Sequence, residues 1–285
     1  MSRLRIPGQE HRKPGQDPNG TRPKGPILRH VSSGHVFNPE AFEDPEPNAD
    51  LPETLLEVGL RPSSLDQFVG QDRVVSDLRL ALAAAAGRGE NPDHVLFSGP
   101  PGLGKTSLAR ILASEMGSNL HSTSGPALER PKDLVGLLTH MDRGDVLFID
   151  EIHRIPRSVE EFLYTAMEDF RVDITLDSGP QARIVPLPLK PFTLVGATTR
   201  EGLLSAPFRD RFGLFERLDP YPASDLVRIL ERAAGILQLT LESSAALLLA
   251  ERCRGTPRIA GRFLRRARDL AQVAGSQHID HAVAV

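Results

Sequence analysis

The segment GPPGLGKT, residues 99–106, has the residue types and spacing of a phosphate-binding loop. Its glycines let the backbone curl so that successive N–H groups face a polyphosphate. Lys105 would supply positive charge to the β and γ phosphates, and the Thr106 hydroxyl is a candidate Mg²⁺ ligand. An empty glycine-rich turn between a strand and a helix is the alternative. The predicted nucleotide contacts in this loop are Gly102, Gly104, Lys105, Thr106 and Ser107.

A second group of residues that could take part in a reaction is the pair of adjacent carboxylates in VLFIDEIH, residues 146–153. An apolar run leads into Asp150 and Glu151, which places both acids at the end of a buried strand. Asp150 is predicted to hold Mg²⁺, and Glu151 to orient and activate the attacking water. Alone, such a pair often marks only a solvated loop. Together with the phosphate-binding loop it indicates nucleotide hydrolysis.

These residues need a scaffold of alternating strands and helices. HVLFS, DVLFID and FTLVGAT are short apolar runs typical of strands buried on both faces, whereas SDLRLALAAAAG and TSLARILASEMG have helical spacing. The alternation predicts an α/β fold with a parallel sheet flanked by helices. After Asp219 the patterns are helical and predict a small all-helical domain.

Composition limits the class of protein. The net charge of −3 over 285 residues excludes a uniformly basic nucleic-acid binder. The single cysteine, Cys253, has no partner for a disulfide within the chain and excludes a cysteine-ligated metal site. Membrane-length apolar runs and a secretion signal are absent from the sequence, so we expect a soluble cytoplasmic protein.

Domain boundaries follow from changes in composition. Residues 1–50 are first basic and then acidic, with few apolar residues, and are predicted to be a disordered extension. Residues 51–218 would form the large ATPase domain. Residues 219–285 would form the small helical domain, which the resemblance described below implies is a lid that is truncated at its end.

Several longer segments resemble one known family. LRPSSLDQFVGQ, SGPPGLGKT, VLFIDEIHR, LYTAMEDF, VGATTREGLLSAPFRDRFG and RCRGTPRIAGRFLRRARD are similar to the RuvB family of Holliday junction branch migration ATPases, of the AAA+ class. The resemblance runs from about Leu51 to His281. It implies an ATP- and Mg²⁺-dependent ring motor, a hexamer, that drives branch migration in DNA recombination and repair together with RuvA.

The same resemblance assigns three residues that read phosphate. In FRDRFG, Arg211 corresponds to the arginine finger, which would reach the γ-phosphate bound by the adjacent subunit. Thr198 occupies the family's sensor position at a strand end, although it could equally cap the strand. Arg258 would lie in the first turn of a lid helix that begins after Thr256. A solvated charge cluster is the alternative for FRDRFG.

Further nucleotide contacts are implied by the family rather than by spacing. In this class the segment before the first strand recognises adenine, but Phe68 of that segment is expected in the core. The implied contacts are Leu60, Arg61, Glu168, Asp169, Phe170 and Tyr221.

The segment from Arg171 to Pro191 predicts a protruding hairpin. Its second strand would expose Ile184, Val185 and Leu187, and exposed apolar groups at such a position often mark a protein contact. In the RuvB family this hairpin docks onto RuvA. Two prolines, Pro186 and Pro188, depart from the plain alternating strand pattern and would protect an exposed edge from aggregation.

The family continues past its lid into a winged-helix domain that contacts DNA, whereas this chain ends at GSQHIDHAVAV. A fragment of a longer product and a naturally short homologue are both compatible with this ending. Two other functions stay open: a clamp-loader-like ATPase, and a scaffold subunit that binds nucleotide without turnover. The presence of Lys105, Asp150, Glu151 and Arg211 together argues against the scaffold.

Overall fold

The computed structural model describes residues 59–176 and 183–285. The predicted N-terminal extension, residues 1–50, and the DSGP turn of the hairpin lie outside the described residues. The strands are β1 (Val95–Ser98), β2 (Leu120–Ser124), β3 (Val146–Asp150), β4 (Arg171–Leu176), β5 (Arg183–Pro188), β6 (Thr193–Thr198), β7 (Leu214–Arg217), β8 (Thr240–Leu241) and β9 (His278–Ile279).

Helices separate most of these strands. The α-helices are α1 (Asp72–Arg88), α2 (Lys105–Glu115), α3 (Pro131–His140), α4 (Arg157–Asp169), α5 (Ala206–Arg209), α6 (Ala223–Ile236), α7 (Ser243–Arg252), α8 (Pro257–Val273) and α9 (His281–Ala284). Short 3₁₀ turns follow β2, β3 and β6, at Gly125–Ala127, Ile152–Arg154 and Glu201–Leu203.

The central sheet has five strands in the order β2-β3-β6-β1-β7, and every pairing in it is parallel. The three strands expected from the sequence, β1, β3 and β6, occupy its centre. The sequence analysis missed β2 and β7, which are the two edges. An edge strand is covered less completely, and the LHSTS segment of β2 therefore needs no continuous apolar run.

Both faces of the sheet are buried. Alternate residues of β1 point to opposite faces, so Val95 and Phe97 pack in one apolar cluster while Leu96 packs in the other. Helices α1 and α2 cover the first face, and α3 and α4 cover the second. This two-sided burial confirms the predicted α/β class, and the parallel pairing of β1, β3 and β6 brings their carboxyl ends to one edge.

The predicted hairpin is present as antiparallel β4 and β5. Ile184 and Val185 are exposed, at 69% and 42%. The expectation that Leu187 is exposed is corrected, because this side chain is half-buried against the second apolar cluster. Leu187 pairs with the fully buried Val172 near the base of the hairpin, where the body of the protein covers that face.

The lid, formed by α6, α7, α8 and α9, also contains a short parallel pairing of β8 with β9, which the helical patterns did not predict. Its core is made of small and aliphatic side chains, including Leu230, Leu249 and Leu264. Among the residues described, no helix combines the length and the apolar character needed to cross a bilayer.

Candidate active site

The phosphate-binding loop joins β1 to α2, and two of its glycines are required by close contacts. Gly99 has φ 128°, and a Cβ there would lie 2.4 Å from the carbonyl oxygen of Leu218. Gly102 has φ 83°, and its Cβ would lie 2.8 Å from Cγ2 of Thr256 in the lid. Larger residues would therefore clash with the sheet edge at one position and with the lid at the other.

Lys105 is the first residue of α2, and its side chain folds back over the loop. Its Nζ donates to the carbonyl oxygens of Gly99 and Pro100, both at 2.8 Å. Burial is the main cause that lowers the pKa of Lys105, and the charge of Arg258 lowers it further, while the Asp150 carboxylate opposes them. Two positive side chains in one partly dehydrated site favour a polyanionic ligand.

The two carboxylates lie where β3 ends. Asp150 is the last residue of the strand, and its Oδ1 accepts a 2.9 Å hydrogen bond from the backbone N–H of Glu151. Glu151 adopts φ 53° and ψ 40°, a left-handed conformation that costs a non-glycine residue about 1–2 kcal/mol. This turn directs the chain away from the sheet immediately after Asp150.

A glycine in a different segment makes this turn possible. A Cβ on Gly125 would lie 2.3 Å from the carbonyl oxygen of Glu151, so the 3₁₀ turn after β2 packs directly on the strained peptide. Gly125 could not be singled out from the sequence, because its contact partner lies 26 residues further along the chain. Its role depends entirely on the pairing of β2 with β3.

A cleft of about 280 Å³ lies between the loop, the β3 carboxylates and the lid. One end is apolar, with Phe68, Ile229 and Ala233. Phe68 was expected in the core, and it both packs against the core and lines this cleft. The predicted residues that line the cleft are Leu60, Arg61, Gly102, Gly104, Lys105, Thr106, Ser107, Asp150, Glu151, Tyr221 and Arg258.

The lid is attached to the loop by two polar contacts. The backbone N–H of Arg258 donates to the carbonyl oxygen of Gly102 at 3.3 Å, and the hydroxyl of Tyr221 donates to that of Leu103 at 3.2 Å. Burial raises the pKa of Tyr221. Thr256 is the N-cap residue of α8, as expected, but its hydroxyl donates to the carbonyl of Arg254 at 3.4 Å rather than accepting from the helix.

The predicted sensor, Thr198, does not line the cleft. Its side chain is buried, and its Oγ1 accepts from the N–H of Arg200 and bonds Nδ1 of His153, both at 3.0 Å. The next residue, Thr199, lines the cleft instead. On the other side of its ring, Nε2 of His153 lies 3.6 Å from the Glu151 carboxylate.

Four further predicted residues lie together outside the cleft, near the end of α4. Nη2 of Arg211 lies 3.1 Å from the carboxylate of Glu168, and Asp169 pairs with Arg171 at 3.2 Å. Phe170 has φ 48° and stacks edge-on against Phe192. Arg211 and its neighbours therefore do not reach the cleft of their own chain.

Comparison with known proteins identifies this architecture. Residues 60–218 match the Holliday junction DNA helicase RuvB P-loop domain, and residues 221–285 match the RuvB AAA lid domain. The Holliday junction branch migration complex subunit RuvB of Chlorobium phaeobacteroides is 59% identical over 237 residues, 83% of this chain and 68% of that protein. The chain belongs to the RuvB family.

Other RuvB proteins are similarly close. The branch migration complex subunit RuvB of Myxococcus xanthus is 60% identical over 230 residues, 80% of this chain and 67% of that protein. The solved Thermotoga maritima RuvB Holliday junction branch migration motor is 50% identical, with a TM-score of 0.72 over 79% of this chain and 71% of that one. These matches confirm the predicted RuvB resemblance and the AAA+ fold with a lid.

Thr199 and Arg265 are among the cleft residues of this RuvB-family chain that the sequence analysis missed. Thr199 follows the predicted Thr198, and only the point at which β6 ends decides which of the two residues lines the cleft. Arg265 lines the cleft seven residues after Arg258 on α8. Helical periodicity could have found Arg265, because residues seven apart share a helix face.

Proposed function

We propose that this chain is an ATP-hydrolysing motor subunit that drives Holliday junction branch migration in DNA recombination and repair, together with a RuvA-type partner. The observation that carries the proposal is the convergence of Lys105, Glu151 and Arg258 on one cleft of a RuvB-family P-loop domain. The relatives with 59% and 60% identity are named as subunits of the branch migration complex.

Nucleotide binding follows from the two ends of the cleft. The apolar end, with Leu60 and Phe68, suits the adenine ring, while the loop and Lys105 suit the phosphates. Arg258 adds a positive charge from the lid and is attached through its N–H to Gly102. Binding of the phosphates would therefore hold the lid against the loop.

Hydrolysis requires a base beside the terminal phosphate. Glu151 is proposed to orient and activate the attacking water, because it lines the cleft directly after Asp150, at the left-handed turn where β3 ends. The Thr106 hydroxyl and Asp150 would hold Mg²⁺, since one hydroxyl and one carboxylate in the cleft match its preference for few protein oxygens plus phosphate. When bound, Mg²⁺ neutralises charge on the β and γ phosphates.

The active site is proposed to be shared between subunits of a hexameric ring. Arg211 is held near Glu168, Asp169 and Phe170, and none of these four lines the cleft of its own chain. A side chain that serves the γ-phosphate of an adjacent subunit must lie on a surface away from its own nucleotide. Arg211 is the proposed finger, and the other three are proposed contacts to the same neighbouring nucleotide.

The hairpin, through its exposed apolar residues, is the proposed docking site for the RuvA-type partner. Ile184 and Val185 are both exposed and, as consecutive residues of β5, lie on opposite faces of the hairpin. Leu187 is half-buried, so the proposed contact is centred on the first two residues.

The proposed division of the chain remains an extension over 1–50, a large domain over 51–218 and a lid over 219–285. The proposed location is the cytoplasm, where the chromosomal substrate lies.

The test is the substitution Glu151→Gln, which removes the base but preserves side-chain size. We expect unchanged ATP affinity, a decrease in kcat of about 10²-fold or more, and no ATP-dependent dissociation of a synthetic four-way junction in the presence of RuvA. Glu161→Gln is the matched control, because Glu161 lies on the exposed side of α4 and pairs with Arg157. Wild-type turnover by Glu151→Gln would remove the assigned mechanism.

A further inference from the structure

Three residues of α4 form a stripe with a spacing of four: Glu160, Tyr164 and Glu168. Residues four apart share one face of a helix. The structure places this face against the segment that begins at Ser205 and ends at Arg211. The stripe therefore contacts this segment at both of its ends, including Arg211, the proposed finger.

The beginning of the segment is attached to the stripe by hydroxyl groups. The carboxylate of Glu160 accepts hydrogen bonds from the hydroxyls of Tyr164 and Ser205, whose oxygens lie 2.9 Å apart. Ser205 is also the N-cap of α5 and accepts from the N–H of Phe208 at 3.4 Å. Burial raises the pKa of Tyr164, which keeps its hydroxyl a donor. The ring of Tyr164 is thus fixed relative to α5.

The end of the segment lies over the same ring. Cζ of Arg211 is 4.5 Å from the centroid of Tyr164, and Nη1 donates to the carbonyl oxygen of Pro207 at 2.7 Å. Nη2 contacts Glu168, but the Glu168 side chain is 67% exposed, and exposed ion pairs contribute little. The Arg211 side chain is only 29% exposed, and a cation stacked on a partly desolvated ring is held more firmly.

A purely structural role for Tyr164 is the competing explanation. Its ring also lies 5.7 Å from that of Phe208 and packs against the second apolar cluster. A structural residue would affect folding and the cleft of its own chain. A residue that acts through Arg211 would affect the cleft of the neighbouring subunit. The two explanations therefore differ in which active site loses activity.

We propose that Tyr164 is a positioning residue that holds the Arg211 guanidinium for the active site of the adjacent subunit, with its own ring fixed by Glu160 and Ser205. This inference rests on the proposed function, in which Arg211 serves a neighbouring nucleotide. Tyr164 supplies the flat face under the cation, and the hydroxyl cluster sets the direction of that face.

The first experiment measures ATP hydrolysis and ATP binding by Tyr164→Leu. We expect kcat to fall about tenfold, equivalent to about 1.4 kcal/mol, with an unchanged Kd for ATP, because the cleft of the same chain is intact. Tyr164→Phe keeps the ring face but loses the hydroxyl that bonds Glu160 and Ser205, and it is expected to recover part of the lost kcat. Phe162→Leu is the matched control, since Phe162 is another half-buried aromatic residue of α4 packed on the same cluster.

The second experiment mixes subunits. Arg211→Ala and Tyr164→Leu are each mixed with Lys105→Ala, and co-purification of differently tagged chains shows that mixed assemblies form. Turnover above the mean of the parents in both mixtures supports the inference, because a Lys105→Ala subunit supplies an intact finger to its neighbour's intact loop. A gain with Arg211→Ala but not with Tyr164→Leu overturns the inference alone. A gain with neither overturns the shared site and the inference together.

Discussion

Replacing Gly102 by alanine should reveal how the lid depends on the phosphate-binding loop. The new Cβ would lie 2.8 Å from Cγ2 of Thr256 and 3.0 Å from Cβ of Arg258, both in the first turn of the lid helix or its cap. These distances are shorter than van der Waals contact, and the two atoms lie close to the backbone, so α8 must shift. The 3.3 Å hydrogen bond from Arg258 N–H to Gly102 would lengthen and be lost.

The magnitude has two parts. Alanine at φ 83° costs about 1–2 kcal/mol of folding free energy, because the left-handed region is unfavourable for an L-residue. Loss of one hydrogen bond between loop and lid removes about 0.5–1.5 kcal/mol more. If nucleotide binding depends on a closed lid, the second part appears as a Kd for ATP about three- to tenfold higher.

Gly117→Ala separates the two parts. Gly117 has φ 62°, and among the described residues no atom lies within 4 Å of the position its Cβ would take. Urea denaturation should show Gly117→Ala destabilised by about 1–2 kcal/mol and Gly102→Ala by about 1.5–3.5 kcal/mol. Titration with a fluorescent ATP analogue should show weaker binding only for Gly102→Ala. Equal ATP affinities for the two variants would refute the proposed coupling between the loop and the lid.

Three further predictions concern other parts of the molecule. Thr199→Val should lower kcat without changing ATP affinity, which steady-state kinetics would measure. Thr198→Val should instead lower the free energy of unfolding by about 1–3 kcal/mol in urea denaturation, because it leaves buried polar partners unpaired. Burial raises the pKa of Cys253 to about 11, so the stability contributed by its neutral thiol is present below pH 9 and lost towards pH 11. Alkylation of the Cys253 thiol at pH 8 should be slower in buffer than in urea, and equal rates would contradict its burial. Ile184→Asp should abolish RuvA binding and leave basal ATP hydrolysis intact. The control Leu80→Asp, at an equally exposed position on α1, should affect neither property. Unaltered RuvA binding by Ile184→Asp would exclude the hairpin as the docking site.

Much of the active site could be predicted from local sequence because its parts are continuous segments. The loop with Lys105 and Thr106 needs only the strand, the glycines and the helix that follow one another in the chain. The Asp150–Glu151 pair likewise requires a strand that ends at that point. Parallel strands then bring both segments to the same edge of the sheet, so their meeting follows from the alternation of strands and helices.

Contacts between distant segments could not be predicted in this way. Gly125 is required by the carbonyl of Glu151, and Tyr164 lies under Arg211, 47 residues further along the chain. In each case the residue type alone is compatible with an ordinary turn or core position. Its contact partner is determined by how two elements pack, and a single sequence does not give the distance between residues on those two elements.

Local sequence was enough to predict the chemistry proposed for this protein, because the proposed catalytic residue types at fixed spacing on adjoining elements leave few alternative arrangements. The packing of distant elements was needed to show that Thr199 rather than Thr198 lines the cleft and that Arg211 lies outside it. Both results depend on the direction of a side chain. At the end of a strand, adjacent residues point to opposite faces, so the end of β6 determines which threonine lines the cleft. The position of the Arg211 guanidinium depends on the Tyr164 ring and the Glu168 carboxylate, which α4 presents to it.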